Sequence, residues 1–319
     1  MGLTKRLSTA LALVATLTST SATAGPNFTV GLSLFYGGNP FVITLQNGAR
    51  KAVEDWKAKG VNINMLVTNG GDTDTTRQIG DLEDLYAQGV NGLVVFPGDS
   101  VVVSEPVKNI YNKNHIPVVV ADTGLNSGKY DYLVISNNFE GGQRAAELMA
   151  KNLKPSSSVI VFDNATGVAV AQARINGFET RAKELGLKVI TRKTLKLSLE
   201  DGRRTMQDTI LSSPEVSGVF FINQLVAQGA YAALVEAKRT DVKLVSFDLD
   251  RVSYQMVKDG RILGLVVQDP YKIGYESMNA MAMKLMGATL KAHEDLLPTK
   301  VLTKENASAF ADDPQVTGK

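Results

Sequence analysis

Short apolar runs, rich in β-branched residues, recur along the chain. Each ends in a polar or glycine-rich cluster, and an amphipathic stretch follows. The runs cover residues 28–35, 63–68, 92–96, 116–121, 159–162, 189–194, 218–222, 243–247 and 262–267. Helical periodicity lies between them, over 41–59, 75–88, 141–153, 171–185, 203–211, 224–238 and 273–286. Strands alternating with helices of this length predict parallel sheets covered by helices. The runs are apolar throughout rather than alternating, as strands buried on both faces require. The predicted fold class is therefore α/β. The chain is longer than one doubly wound sheet needs, so two lobes are expected. No Pro- or Ser-rich linker divides it, since Lys154-Pro155-Ser156-Ser157-Ser158 reads as a helix-to-strand loop, and the lobes are expected to be joined by several short crossings. The segment after Glu305 reads as a polar tail.

The first residues break the pattern. Lys5 and Arg6 precede an apolar run from Leu7 to Leu17, and Ala22-Thr23-Ala24 supplies a small-x-small cleavage site. This order predicts a signal peptide over 1–24, cut after Ala24. The run is too short to span a bilayer as a helix, which needs about 20 apolar residues. Cleavage removes Lys5 and Arg6 from the 34 basic residues and leaves 32 against 32 acidic ones. A neutral mature chain argues against nucleic-acid binding and against docking on anionic lipid. The chain has no cysteine, which excludes disulfides and a lipid-modified N-terminal Cys. The expected product is a soluble monomer without a membrane anchor, located in a Gram-negative periplasm.

In parallel α/β sheets, ligands bind beyond the C-terminal ends of strands. The residues closing the apolar runs are Asp122 after Val118-Val119-Val120-Ala121, Asn223 after Val219-Phe220-Phe221-Ile222, Asp248 after Leu244-Val245-Ser246-Phe247, and Gln268 after Leu265-Val266-Val267. Each alone has the competing role of a helix N-cap; together they favour a polar pocket. The first run leads into Phe35-Tyr36-Gly37-Gly38-Asn39-Pro40-Phe41, where Asn39 fits an N-cap and Pro40 the first helical position. Phe35 and Phe41 are candidates for stacking on a ligand and equally for core packing. Flat rings beside amides and carboxylates suit a sugar or polyol, whose hydroxyls both donate and accept.

Taken in order, Asn39-Pro40-Phe41, Asp122, Arg174 within Ala173-Arg174-Ile175-Asn176-Gly177-Phe178, Asn223, Ser246-Phe247-Asp248 and Gln268 resemble the ribose-type sugar-binding proteins. These are type I periplasmic solute-binding proteins of ABC importers, and the similarity covers almost all of the mature chain. The resemblance implies two similar doubly wound lobes joined by a three-crossing hinge. One lobe would hold 25–136 and 269–298, the other 137–268 and 299–319. It also implies that Asn39, Asp122, Arg174, Asn223, Asp248 and Gln268 hydrogen-bond ligand hydroxyls, that Phe41 stacks on the ligand, and that the closed form docks on a membrane permease. Three positions depart from the family pattern. Thr123 stands where an Arg is common, Val42 where a second aromatic is common, and Leu197 lies near an expected ring. The implied pocket, with Thr123 beside Asp122, has one cation and two rings fewer, which leaves the ligand open among pentose, hexose, tetritol, other polyol and non-sugar.

Other constellations are weaker. Asp72 and Asp74 read as a loop capping the next helix rather than a calcium site, because further oxygen ligands are missing. Asp250 reads as the cap of the helix after it. His115 and His293 stand apart, and without cysteine a zinc site has few candidates. No metal or cofactor is expected. The expected activity is non-catalytic binding. The rivals are a periplasmic sensor subunit signalling to a receptor kinase, a binder of a small cationic solute, and a secreted α/β enzyme, for which no nucleophile–base pair is visible.

Overall fold

The computed structural model describes residues 25–70, 74–164, 169–290 and 292–318. The predicted signal peptide and Asp72 lie outside them. The described strands form two six-stranded sheets. The first contains β1 (Asn27–Leu34), β2 (Asn62–Asn69), β3 (Gly92–Val95), β4 (Val118–Ala121), β5 (Tyr132–Ser136) and β11 (Glu294–Leu297) in the order β11-β5-β4-β3-β1-β2. The second contains β6 (Ser158–Asn164), β7 (Lys188–Leu195), β8 (Val216–Phe221), β9 (Lys243–Phe247), β10 (Gly264–Val267) and β12 (Lys300–Thr303) in the order β12-β10-β9-β8-β6-β7. The orders match strand for strand. The pairs are parallel except β10 with β12.

Each sheet has apolar packing on both faces, which explains the unbroken apolar runs. Val94, Val119 and Val134 enter one core of the first sheet, while their neighbours Leu93, Val95, Val118 and Val120 enter the other. In the second sheet Val161, Phe220, Val245 and Val266 face one way, and Ile160, Phe162, Phe221 and Leu265 the other. Alternate side chains of a strand point to opposite faces, so double coverage demands apolar residues at every position.

The α-helices of the described residues are α1 (Pro40–Ala58), α2 (Thr75–Ala87), a short α3 (Ser104–Pro106) continued by a wider turn, α4 (Asn138–Lys151), α5 (Ala169–Glu184), α6 (Leu199–Ser212), α7 (Gln224–Glu236), α8 (Arg251–Lys258), α9 (Pro270–Leu285) and α10 (Pro314–Thr317). Helix α4 lies on α5 with backbones in contact. A Cβ on Gly142 would sit 2.0 Å from the Arg174 carbonyl oxygen, and one on Gly177 2.0 Å from that of Phe139. Only glycine permits this approach.

The chain passes from the first sheet to the second between β5 and α4, returns between β10 and α9, and passes again between β11 and β12. Three of these strands escaped the sequence pattern. β11 (Glu-Asp-Leu-Leu) and β12 are four-residue strands at sheet edges carrying charge, and β5 is short and preceded by Lys129-Tyr130-Asp131. The segment after Glu305 is not a loose tail. Ala307, Phe310 and Val316 are buried in the second lobe's core, and Arg251 donates to the carbonyls of Val316 and Thr317, both at 3.0 Å. Three anchors spaced among polar residues leave no helical or strand period to read.

Candidate functional site

Among the polar residues that close the strands, Asn223, Asp248 and Gln268 meet in the second lobe, and Asp122 closes β4 in the first. Strand β4 ends at Ala121, and Asp122 turns the chain with φ +63°; β9 ends at Phe247, and Asp248 does so with φ +69°. Left-handed backbone is uncommon outside glycine, although Asp tolerates it better than most residues. Both turns are held alike. The Asp122 N–H donates to the Val134 carbonyl at 2.7 Å, and the Asp248 N–H to that of Val266 at 3.0 Å.

Asp248 gathers a network. Its carboxylate accepts from Gln268 Nε2 at 2.7 Å and Asn223 Nδ2 at 3.3 Å, and Arg174 Nη1 lies 3.5 Å from Oδ2. Arg174 is 7% exposed, so it is not a surface charge of α5. Its Nε donates to Asn138 Oδ1 and its Nη1 to the Ile222 carbonyl, each at 2.8 Å, and its guanidinium lies 4.2 Å from the Phe247 ring centroid. Asn223 serves twice, since its Oδ1 caps α7 through Leu225 N at 2.9 Å while its Nδ2 reaches Asp248. Asp250, not Asp248, caps α8, in a reciprocal capping box with Ser253.

Asp122 faces this network from the first lobe with little support of its own. Its Oδ2 accepts from the Thr123 hydroxyl at 3.2 Å, and both residues are 6% exposed. Its Oδ1 is buried without a partner among the described residues, as is Gln268 Oε1. Burial pushes the Asp122 carboxyl up to about 6; Arg174 pulls it down, Asp248 pushes it up and the Thr123 bond pulls it down. Charges of the second lobe thus act on the Asp122 carboxyl from both directions.

The candidates at the end of β1 sit differently. Asn39 caps α1 by accepting from Phe41 N at 2.9 Å, with Pro40 at the first helical position. Phe41 is half-buried and tilted against Phe96 at 6.3 Å between centroids. Phe35 is buried, edge-on to Tyr36 at 4.5 Å and covering Gly98; the exposed ring at this strand end is Tyr36. Val42 is in the core of the first lobe, and Leu197 is partly buried against that of the second. Asp74 caps α2.

Three residues escaped the reading of strand ends. Asn138 holds Arg174 but follows β5, a strand the pattern did not reveal. Asp163, 8% exposed in β6, accepts from Gln172 at 3.3 Å, and its place directly after the run 159–162 was a usable signal. Gln78 bonds the Phe96 carbonyl and Gly98 N–H, both at 2.9 Å, and so fixes the loop beneath Phe35. Nothing in an amphipathic helix distinguishes such a glutamine in advance.

The arrangement is suited to holding a polar, uncharged molecule. One buried arginine supplies donors, and Asp122 Oδ1 and Gln268 Oε1 are buried acceptors without a partner among the described residues. Among the described residues, no group of three or more His, Cys, Asp or Glu is placed to hold a metal ion, and no helix is long and apolar enough to cross a membrane.

Known proteins share both sequence and architecture. The periplasmic binding protein domain family matches residues 30–289. The ribose import binding protein of Bacillus subtilis is 30% identical over 247 residues, 77% of this chain and 78% of that protein. The Escherichia coli ribose import binding protein is 28% identical over 288 residues, 90% of this chain and 95% of its own length. A carbohydrate transporter solute-binding protein from Agrobacterium radiobacter, solved with D-arabinose, superposes with a TM-score of 0.77 at 28% identity, covering 92% of this chain and 98% of that one. The chain belongs to the periplasmic binding protein family, among its ribose-type sugar-binding members.

Proposed function

We propose that this chain is the periplasmic substrate-binding component of an ABC importer, and that it captures a neutral sugar or polyol between two closing lobes. The observation that carries the reading is that two strand-end residues have buried acceptors without a partner among the described residues: Gln268 Oε1, beside the Asp248 carboxylate that pairs with Arg174, and Asp122 Oδ1, whose carboxyl feels the same arginine. A buried polar group left unpaired costs about 1–3 kcal/mol. A ligand with several hydroxyls removes that cost and can accept from the arginine at the same time. Asp122, Arg174, Asn223, Asp248 and Gln268 form the polar contacts, Thr123 sets Asp122, and Asn39, Phe41 and Phe35 line the first lobe's side. The lobes are 25–136 with 269–298, and 137–268 with 299–319; sheet membership and the packing of α4 and α9 support these bounds. Closure strengthens each polar contact by excluding water.

A thermal-shift screen tests the reading, because a ligand of the folded state alone stabilises it by about 2.7 kcal/mol at a hundred times its Kd. D-ribose, D-arabinose, myo-inositol and xylitol are the probes, with small primary and quaternary amines as the contrasting set. The expected result is a rise in Tm with at least one polyhydroxylated probe and none with amines. Two carboxylates against one arginine favour the second reading, a cationic solute, and a response to amines alone establishes that reading instead.

A further inference from the structure

We infer that Asn138 is a positioning residue, which sets the Arg174 guanidinium for the ligand and ties it to the first crossing between the lobes. Asn138 is 4% exposed and opens α4 immediately after that crossing. It is not the helix cap; Asn137 is, accepting from Glu140 N at 3.2 Å. Its amide is used at both ends. Nδ2 donates to the Ser136 carbonyl at 2.9 Å, and Oδ1 accepts from Arg174 Nε at 2.8 Å. Arginine only donates, so its Nε requires the oxygen end of the amide and the orientation has one solution.

Arg174 is held at three points, by Asn138 at Nε, by the Ile222 carbonyl at Nη1 and by the Phe247 ring against its face. Three contacts define the plane of the guanidinium before any ligand arrives, so little freedom remains to be lost on binding. The backbone contact of α4 with α5 at Gly142 and Gly177 fixes the distance that the Asn138–Arg174 bond spans. Ser136 is the last residue of β5 in the first sheet, whereas α4 packs on β9, β10 and α5 of the second lobe. The hydrogen bonds from Ser136 through Asn138 to Arg174, and the ion pair from there to Asp248, therefore start in one lobe and end in the ligand site of the other. Rotation at the crossing strains the first of these bonds, which couples the lobe angle to the set of the arginine.

The effect on affinity rests on the sugar-binding reading above, so two of the three measurements use no ligand. The first is hydrogen exchange of the Arg174 Nε–H by NMR, the signal being the one lost in Arg174→Lys. The second is the interlobe distance between spin labels at Glu54→Cys and Asp208→Cys. Both sites are exposed, and the chain has no other cysteine. The third is titration with D-arabinose. Asn138→Ala is expected to accelerate Nε–H exchange at least about tenfold, to broaden the distance distribution and to weaken binding about tenfold. Asn138→Asp keeps the acceptor for Arg174 but loses the donor to Ser136, so it keeps slow exchange and still broadens the distribution. Unchanged exchange in Asn138→Ala overturns the positioning role, and a wild-type distance distribution in Asn138→Asp overturns the coupling, even where Asn138→Ala does not fold. If the exchange and distance results hold while the wild type binds no sugar, the sugar-binding reading falls and the inference stands. If the wild type binds D-arabinose and Asn138→Ala matches it in all three measurements, the inference falls alone.

Discussion

Asp122 and Asp248 occupy the same position in the two lobes. Each follows the fourth strand of its sheet, each has a positive φ, and each donates its N–H to the neighbouring strand. Their carboxylates nevertheless live in different surroundings. Asp248 has Gln268, Asn223 and Arg174 around it, whereas Asp122 has one hydroxyl, an unpartnered oxygen and a carboxyl pushed up to about 6 by burial. The backbone repeats, so the difference lies in the side chains supplied around it. One lobe carries a carboxylate that is already paired, and the other carries a carboxylate that lacks donors among the described residues. That asymmetry offers a physical reason for a ligand to draw the lobes together: its hydroxyls would give donors to a carboxylate that burial leaves poorly solvated.

The largest expected effect comes from removing the cation that serves both acids. Arg174→Met leaves Asp248 and Asp122 facing each other without compensation. Breaking a buried pair in this way costs about 3–5 kcal/mol, and the amides of Gln268 and Asn223 that remain on Asp248 place the expected loss near the lower end. Urea unfolding of the unliganded protein measures it, and sugar binding should be lost. Adding Asp248→Asn to the same protein should restore part of the stability. A loss below about 1 kcal/mol would mean that the second lobe's half-site is not organised around the arginine.

The single changes Asp248→Asn and Asp122→Asn sharpen the comparison by their opposite signs. Asp248→Asn puts an amide donor where Gln268 or Asn223 already donates. Unliganded stability should fall by about 1 kcal/mol and affinity by roughly tenfold to a hundredfold. Asp122→Asn should also weaken binding, by about tenfold, but it removes a charge that burial disfavours and places Asn in left-handed backbone, which Asn adopts readily. Stability of the unliganded protein should therefore stay level or rise. Calorimetry and apo melting on both variants decide the matter, and destabilisation of equal size in both would erase the proposed asymmetry.

How far these residues could be read in advance follows from their surroundings. The parallel strands were legible because both faces of each sheet are covered, so Val118-Val119-Val120 leaves no ambiguity of period. Asp122, Asn223, Asp248 and Gln268 were legible as candidates because ligands bind beyond the C-terminal strand ends of parallel α/β sheets. Arg174 was not. Helix α5 buries Ala171, Ile175 and Phe178 on the same face as the arginine, and nothing local marks one buried cation among them; only the resemblance to known binding proteins singled it out. Asn138 was hidden with β5, whose pairing with β4 and β11 is long-range and leaves a weak mark in five residues. The dual use of Asn223, cap and donor together, was posed as a choice between two roles when the side chain has an atom for each.

The smallest effect, and the most diagnostic of Asp122, is its response to pH. An aspartate titrates near 3.8 when unfolded, and Asp122 titrates at about 6 in the folded protein. Between those values the folded state holds more protons than the unfolded one, so this group makes stability rise as pH falls. Its unfavourable contribution is complete above about 6 and is relieved between about 6 and 3.8. The exposed carboxylates held low by partners, such as Asp259 beside Arg261 and Glu236 beside Arg203, act in the opposite sense at lower pH. The useful quantity is therefore the difference in stability between the wild type and Asp122→Asn, which should move in favour of the wild type as pH drops from 7 to 5. Affinity should run the other way. A ligand hydroxyl donating to Oδ1 needs the ionised carboxylate, and at pH 5, about one unit below the titration point, most of the protein must first release a proton. Binding should weaken by up to about tenfold between pH 7 and 5, and in Asp122→Asn it should be flat over the same range. Titrations at four pH values on the two proteins measure this. A wild-type affinity that is flat or rises with acid would mean that the ligand meets Asp122 as a neutral donor, and the half-site of the first lobe would then have to be assigned the opposite polarity.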